Sequence, residues 1–188
     1  MKSWSISVQS KGLAPIKFDR FFDQSKTQRA PAEKLYLADG IVVLPIDNIW
    51  AFLTCQRTGC ARVFEGKSWM DYYRACQSFV RINPLDSSPI PFCDEKKKPI
   101  KFDNFEKLTY SFATNVLVGT GKNISRNTIT RPVLRLPWNI SFIISLFENE
   151  VITAQKIEEW FRVGGMVIGW GNGRPKFGRF EIVKWDVK

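Results

Sequence analysis

Apolar and polar positions alternate with a period of two in four stretches of the chain, as they do along half-buried strands. These are Trp4–Gln9 (WSISVQ), Ser78–Ile82 (SFVRI), Asn139–Leu146 (NISFIISL) and Arg179–Val187, where Phe180, Ile182, Val183, Trp185 and Val187 are the apolar members. Ile41–Leu44 adds a short buried strand ended by Pro45, and Leu108–Val118 is a further strand candidate. The helical period governs two other segments. From Asn48 to Phe64, Ile49, Phe52, Leu53, Cys60, Val63 and Phe64 fall on one stripe, with Asp47 as the expected cap and Arg57 and Arg62 facing outward. Gly59 interrupts that helix and points to close packing. In TAQKIEEWFRVGG, Thr153 can cap, Ile157, Trp160 and Phe161 face inward, and Glu158 and Glu159 face out. Gly164 or Gly165 is expected to stop this helix in a left-handed conformation. A short helix over Trp69–Cys76, after Ser68, is also predicted.

Three stretches follow neither period. Ser10–Lys34 is polar, basic and proline-containing, and reads as a long loop or arm whose Phe21–Phe22 pair docks on the body or on a neighbouring subunit. Asn83–Pro99 carries three prolines in NPLDSSPIPF and then Lys96–Lys98, a solvated loop or else a phosphate-contacting arm. Gly119–Arg131 has two glycines, three cations and no hydrophobic run, as a hairpin or flexible protrusion would. With these set aside the order is strand, helix, strand, strand, helix, strand. The expected class is α+β: one modified ferredoxin-like or RRM-like (βαββαβ) domain over residues 1–188, with insertions at about 10–40, 84–106 and 119–131 and a C-terminal glycine-rich loop. No RNP1-type aromatic signature sits on the expected strands, so an ordinary RRM is not expected.

Charge adds a partner. The chain carries 28 Lys and Arg against 18 Asp and Glu, a net charge of +10, and 14% aromatic residues including seven Trp. Cations release counterions from phosphates and flat rings stack on bases, so a single-stranded nucleic acid is the expected ligand. A membrane is not, because no basic amphipathic helix has a free apolar face and the longest apolar runs are too short to span a bilayer. No secretory signal opens the sequence, and Cys55, Cys60, Cys76 and Cys93 show no CxxC spacing, so reduced thiols in a cytoplasm are expected.

The absence of histidine removes Ser–His and Cys–His nucleophile pairs, His metal sites and His general bases. A carboxylate-and-metal nuclease would need clustered acids, and Asp94–Glu95, Glu148, Glu150 and Glu158–Glu159 form no cluster visible from spacing. No catalytic residue, metal site or cofactor is expected.

Six of the twelve glycines lie between Gly164 and Gly178, in GGMVIGWGNGRPKFGRF. Gly169, Gly171 and Gly173 superficially match a phosphate loop, but this loop closes a helix and opens a strand, so no helix N-terminus is available to a phosphate. Two readings stay open: a tight structural turn, or a loop that brings backbone N–H groups and cations close to a phosphodiester chain. In the second, Arg174, Lys176 and Arg179 contact phosphates and Trp170 or Phe177 stacks on bases. Lys122, Arg126 and Arg131, with Arg135 beyond them, then clamp the strand from the protrusion.

The plan with its glycine-rich loop before the last strand resembles the RAMP superfamily of CRISPR-associated proteins, and within it the Cas7-like backbone subunits that coat RNA. The tail GGMVIGWGNGRPKFGRFEI, together with ITRPVLRLPWNISFIISL and VVLPIDNIWAFL, is similar to a set of phage and prophage proteins with a like ending. By that resemblance Gly169, Gly171, Arg174, Phe177, Gly178 and Arg179 form the glycine-rich loop, and Gly119–Arg131 stands in the place of an inserted thumb. RAMP endonucleases that process guide RNA usually depend on a histidine, which this chain lacks. The resemblance therefore implies a non-catalytic binder of single-stranded RNA or DNA in a bacterial or phage-infected cytoplasm, assembling with copies of itself or with a CRISPR-type ribonucleoprotein. The alternative it implies is a phage-encoded interaction protein that docks on a host complex by imitating a backbone subunit.

Overall fold

A computed structural model describes residues 2–20, 30–83, 88–102, 105–118 and 125–188. In chain order its strands and helices are β1 (Ser3–Gly12), β2 (Ile16–Lys17), β3 (Leu37–Ala38), β4 (Ile41–Leu44), α1 (Ile46–Thr54), α2 (Cys60–Phe64), α3 (Trp69–Phe79), β5 (Val80–Ile82), β6 (Ile90–Pro91), α4 (Phe105–Leu108), β7 (Thr109–Val118), β8 (Ser125–Leu134), β9 (Asn139–Phe147), α5 (Ala154–Val167) and β10 (Phe180–Val187).

All four alternating stretches enter one sheet, in the order β10-β1-β9-β5, with every neighbour antiparallel. Numbered within the βαββαβ skeleton this is 4-1-3-2, so the expected α+β plan holds. Alternation fixes the register, because a slip of one residue would turn every side chain over. Ile6, Val8, Ile140, Phe142, Ile144, Leu146, Val80 and Ile82 are buried on one side. Rings from α1 and α5 meet that side: Phe52 lies 5.0 Å from Phe161, and Phe161 lies 5.7 Å from Phe142, centroid to centroid. The pairing of β1 with β10 shifts between Gln9 and Ser10, which leaves Val183 as a bulged extra residue on the outer strand.

Several expectations need correction. The helix expected over Asn48–Phe64 is two helices, α1 and α2, with Gly59 extended between them (φ −76°, ψ 160°) and lying against the Cys55 backbone, where no Cβ would fit. Asp47 sits in the first turn of α1 and is not its cap; Pro45 is, without a side-chain bond. Thr153 does cap α5, accepting from the Lys156 N–H at 3.1 Å. Gly164 and Gly165 do not stop α5 but lie inside it. A Cβ on Gly164 would come within 2.8 Å of the Phe52 ring, and one on Gly165 within 2.6 Å of the Phe180 carbonyl, so both glycines serve close packing. Ser78 and Phe79 end α3, and the strand there starts at Val80.

The excursions carry structure of their own. Residues 10–20 and 30–38 include β2, a short 3-10 turn (Pro31–Lys34) and β3, while Phe21–Phe22 lies outside the described residues. The lysines Lys96–Lys98 are exposed on a tight turn in which the Asp94 carboxylate accepts from the N–H groups of Lys96 and Lys98 at 2.8 and 2.9 Å. The described part of the Gly119–Arg131 stretch, from Ser125 onward, is strand: β7 and β8 form a ten-pair antiparallel hairpin from Thr109↔Leu134 to Val118↔Ser125. Its base pairs with β2, giving a second sheet β2-β8-β7 beside a third, β3-β4-β6. Among the described residues no helix is long and apolar enough to cross a membrane.

Candidate nucleic-acid interface

The tail loop is fastened to the segment that follows β1. Within the loop Trp170 N–H donates to the Gly178 carbonyl at 2.9 Å. Outside it, Gly178 N–H donates to the Pro15 carbonyl and Asn172 N–H to the Lys17 carbonyl, each at 2.8 Å. Gly173 (φ +74°) leaves the space that the end of Lys17 occupies, since a Cβ there would lie 2.6 Å from the Lys17 ammonium. The loop is therefore a tight structural turn, and the same turn also gathers cations.

Lys17 is the centre of that gathering, and only 5% of it is exposed. Its Nζ lies 4.8 Å from the centroid of Phe177 and 5.3 Å from that of Phe112. Lys176 brings a second ammonium over the same rings, at 5.9 and 5.4 Å. The two rings stack edge-on with centroids 5.1 Å apart, so strand β7 and the tail loop form one aromatic shelf under two positive charges. Neither ammonium has a carboxylate partner among the described residues. Burial pushes the Lys17 pKa down, nearby Arg131 pushes it further the same way, and the Asp19 carboxylate pulls part of the way back. Two ammonium groups are thus crowded on one aromatic shelf, neither in ion-pair contact with a carboxylate among the described residues.

The other predicted residues divide clearly. Arg174 is half-buried and donates to the Thr58 hydroxyl at 3.3 Å and, at the limit of hydrogen-bond length, to the Gly169 carbonyl at 3.5 Å. Gly169 and Gly171 hold positive φ in the loop, as its path requires. Arg179 is exposed at the entry to β10. Arg131 is a correction: it is buried and ion-paired with Asp19 at 2.7 Å, so its guanidinium is committed within the protein. Trp170 is another, being fully buried and stacked on Phe180 with ring centroids 3.6 Å apart, where no base can reach it. Phe177 is likewise 5% exposed and supports the lysines from below. Arg135 is exposed over the Tyr110 ring, 4.9 Å away, at the base of the hairpin. Lys122 lies outside the described residues, as does the side chain of Arg126.

Lys17 and Asp19 escaped the sequence reading because Ser10–Lys34 shows no period of useful length. The signal present, Ile16–Lys17–Phe18 as apolar, polar, apolar, is too short to mark a strand. Nearby, the Thr58 hydroxyl that accepts from Arg174 also lies 3.4 Å from the Cys55 sulfur, and this bond lowers the Cys55 thiol to about 7.

The open side of the main sheet offers less. The outward positions of β1 are Ser3, Ser5, Ser7, Gln9 and Lys11, opposite Ser141, Ile143 and Ser145 of β9. The middle of this face has no ring on which a base could stack, and Phe147, opposite Ser3, stands at its end, so the loop and hairpin are the better candidate interface.

The sequence matches no protein-family model and no curated protein. The structure does resemble a solved one, a chain of the type III-B Cmr-beta complex bound to cognate target RNA, with a TM-score of 0.55 and 12% identity. The match covers 99% of this chain and 61% of the other, so this chain spans less than two thirds of its neighbour. The likeness is one of fold, an α+β domain.

Proposed function

We propose that this protein is a non-catalytic binder of single-stranded nucleic acid, RNA in the first instance, that works within a CRISPR-type ribonucleoprotein and coats the strand as a row of copies. The observation that carries the reading is the pair of unpaired ammonium groups, Lys17 and Lys176, on the Phe112–Phe177 shelf beside Arg174. Cations that make no ion-pair contact with a carboxylate gain when a phosphodiester chain supplies a counter-charge. The net charge of +10 supplies long-range attraction, and the lack of histidine removes the commonest general base for RNA cleavage. The neighbour of like fold belongs to a complex bound to target RNA, which favours RNA over DNA as the strand to try first.

Fluorescence anisotropy of a labelled single-stranded RNA tests this. With about four to seven phosphates neutralised, log affinity should fall against log salt with a slope of several units. Absence of binding at low salt, or a flat dependence, overturns the proposal.

A second reading has its own observation. Val63, Val163, Met166 and Val167, each 45–50% exposed, lie on α2 and on the C-terminal half of α5, as a protein-docking surface would. In that reading the chain is a phage-encoded protein that docks on a host nucleic-acid-binding complex. A clean monomer that binds no RNA but is retained by such a complex would favour it.

A further inference from the structure

Between the tail loop and the first turn of α1 lies a groove of about 230 Å³. On the loop side it is lined by Lys17, Asn172 and Arg174, and on the helix side by Asp47 and Asn48, with Tyr36 along the wall. We propose that this groove reads one guanine of the bound strand and that Asp47 is the residue that reads it. The inference rests on the binding function proposed above and adds a base preference to it.

Position comes first. Lys17 of β2 and Arg174 of the tail loop both line the groove, so a strand whose phosphates follow these cations passes its mouth. Size comes next: at about 230 Å³ the groove is on the scale of one flat base and below the range of drug-sized pockets. Tyr36 offers a half-buried ring, held edge-on by Phe18 with centroids 6.4 Å apart.

Chemistry then selects the base. Asp47 is exposed and has no hydrogen-bond or ion-pair partner among the described residues. A carboxylate only accepts, and it accepts best from two adjacent donors. On the Watson–Crick edge guanine alone offers such a pair, N1–H and N2–H. Adenine and cytosine place an acceptor beside their amino group, and uracil flanks its single N–H with two carbonyl oxygens, which a carboxylate repels. Asp19, the other acid in the groove, is already held by Arg131 at 2.7 Å. A cationic guest such as an arginine side chain is disfavoured by Lys17 and Arg174 in the same lining. An acid in the first turn of a helix is explained by the macrodipole alone, but the open groove in front of it is not.

The test compares three RNAs in the anisotropy assay: an oligouridine, the same strand with one central guanosine, and the same strand with inosine there, which lacks the N2 donor. Guanosine should tighten binding about tenfold and inosine should lose most of that gain. Asp47→Asn should bring the guanosine-to-uridine ratio down to about one, and Ala51→Leu, which fills the groove from α1, should do the same by another route. Equal wild-type affinity for all three strands overturns the pocket and leaves the binding function standing, as does a ratio unchanged by Asp47→Asn. Failure to bind any of the three, with no salt dependence, overturns both.

Discussion

The ammonium of Lys17 fills the space that a side chain on Gly173 would take: a Cβ there would lie 2.6 Å from Lys17 Nζ and 2.7 Å from Cε. A residue of the first excursion and a residue of the tail thus share one volume across more than 150 positions of sequence. The pairing explains why the loop must have glycine at this point, and it sets up the first test.

Gly173→Ala should fold with a loss of about 1–2 kcal/mol from the left-handed conformation, since the atom in its way is the end of a flexible side chain. RNA affinity should fall as Lys17 is displaced, and combining the change with Lys17→Ala should be less than additive. Gly178→Ala should behave differently, because its Cβ would meet the Trp170 backbone, which has nowhere to go. Chemical denaturation should find that variant largely unfolded.

Lys17→Met keeps the shape of the side chain and removes its charge. Thermal stability should stay level or rise, because a desolvated cation is no longer buried, while the salt slope of RNA binding falls by about one. The pH dependence has a definite sign. Burial and Arg131 lower the Lys17 pKa, so the folded protein releases this proton before the unfolded chain does. Wild-type stability should therefore rise with pH from that lowered value toward the ordinary 10.5, and this increment should be missing from Lys17→Met. A larger salt slope in the variant would contradict the assignment.

Trp170→Ala should cost about 3–5 kcal/mol, the loss expected when a large buried ring leaves a cavity beside Phe180. Calorimetry separates this from a role in base stacking, which predicts weaker RNA binding at an unchanged melting temperature.

Cys55 should be the first thiol to react. Its hydrogen bond from Thr58 brings it to about 7, whereas burial pushes Cys76 up to about 12 and Cys60 well above the ordinary value. Iodoacetamide at neutral pH followed by peptide mass mapping should find Cys55 labelled ahead of the others, and Thr58→Val should slow it about tenfold.

The sequence by itself determined the main sheet, the class of fold and the positive net charge of the chain. Strand patterns with a period of two report which face is buried without reference to any partner, so WSISVQ and NISFIISL were legible one at a time. The helix over 154–163 was legible for the same reason, through Ile157, Trp160 and Phe161. Tertiary structure decided what each glycine and each cation is for. Gly164 reads as a helix stop until Phe52 is found against it, because close approach is a property of two elements and a sequence window contains one. Arg131 and Lys17 look alike as charges in irregular stretches. Only the fold sets one in an ion pair with Asp19 and the other between the rings of Phe112 and Phe177, with no carboxylate in ion-pair contact.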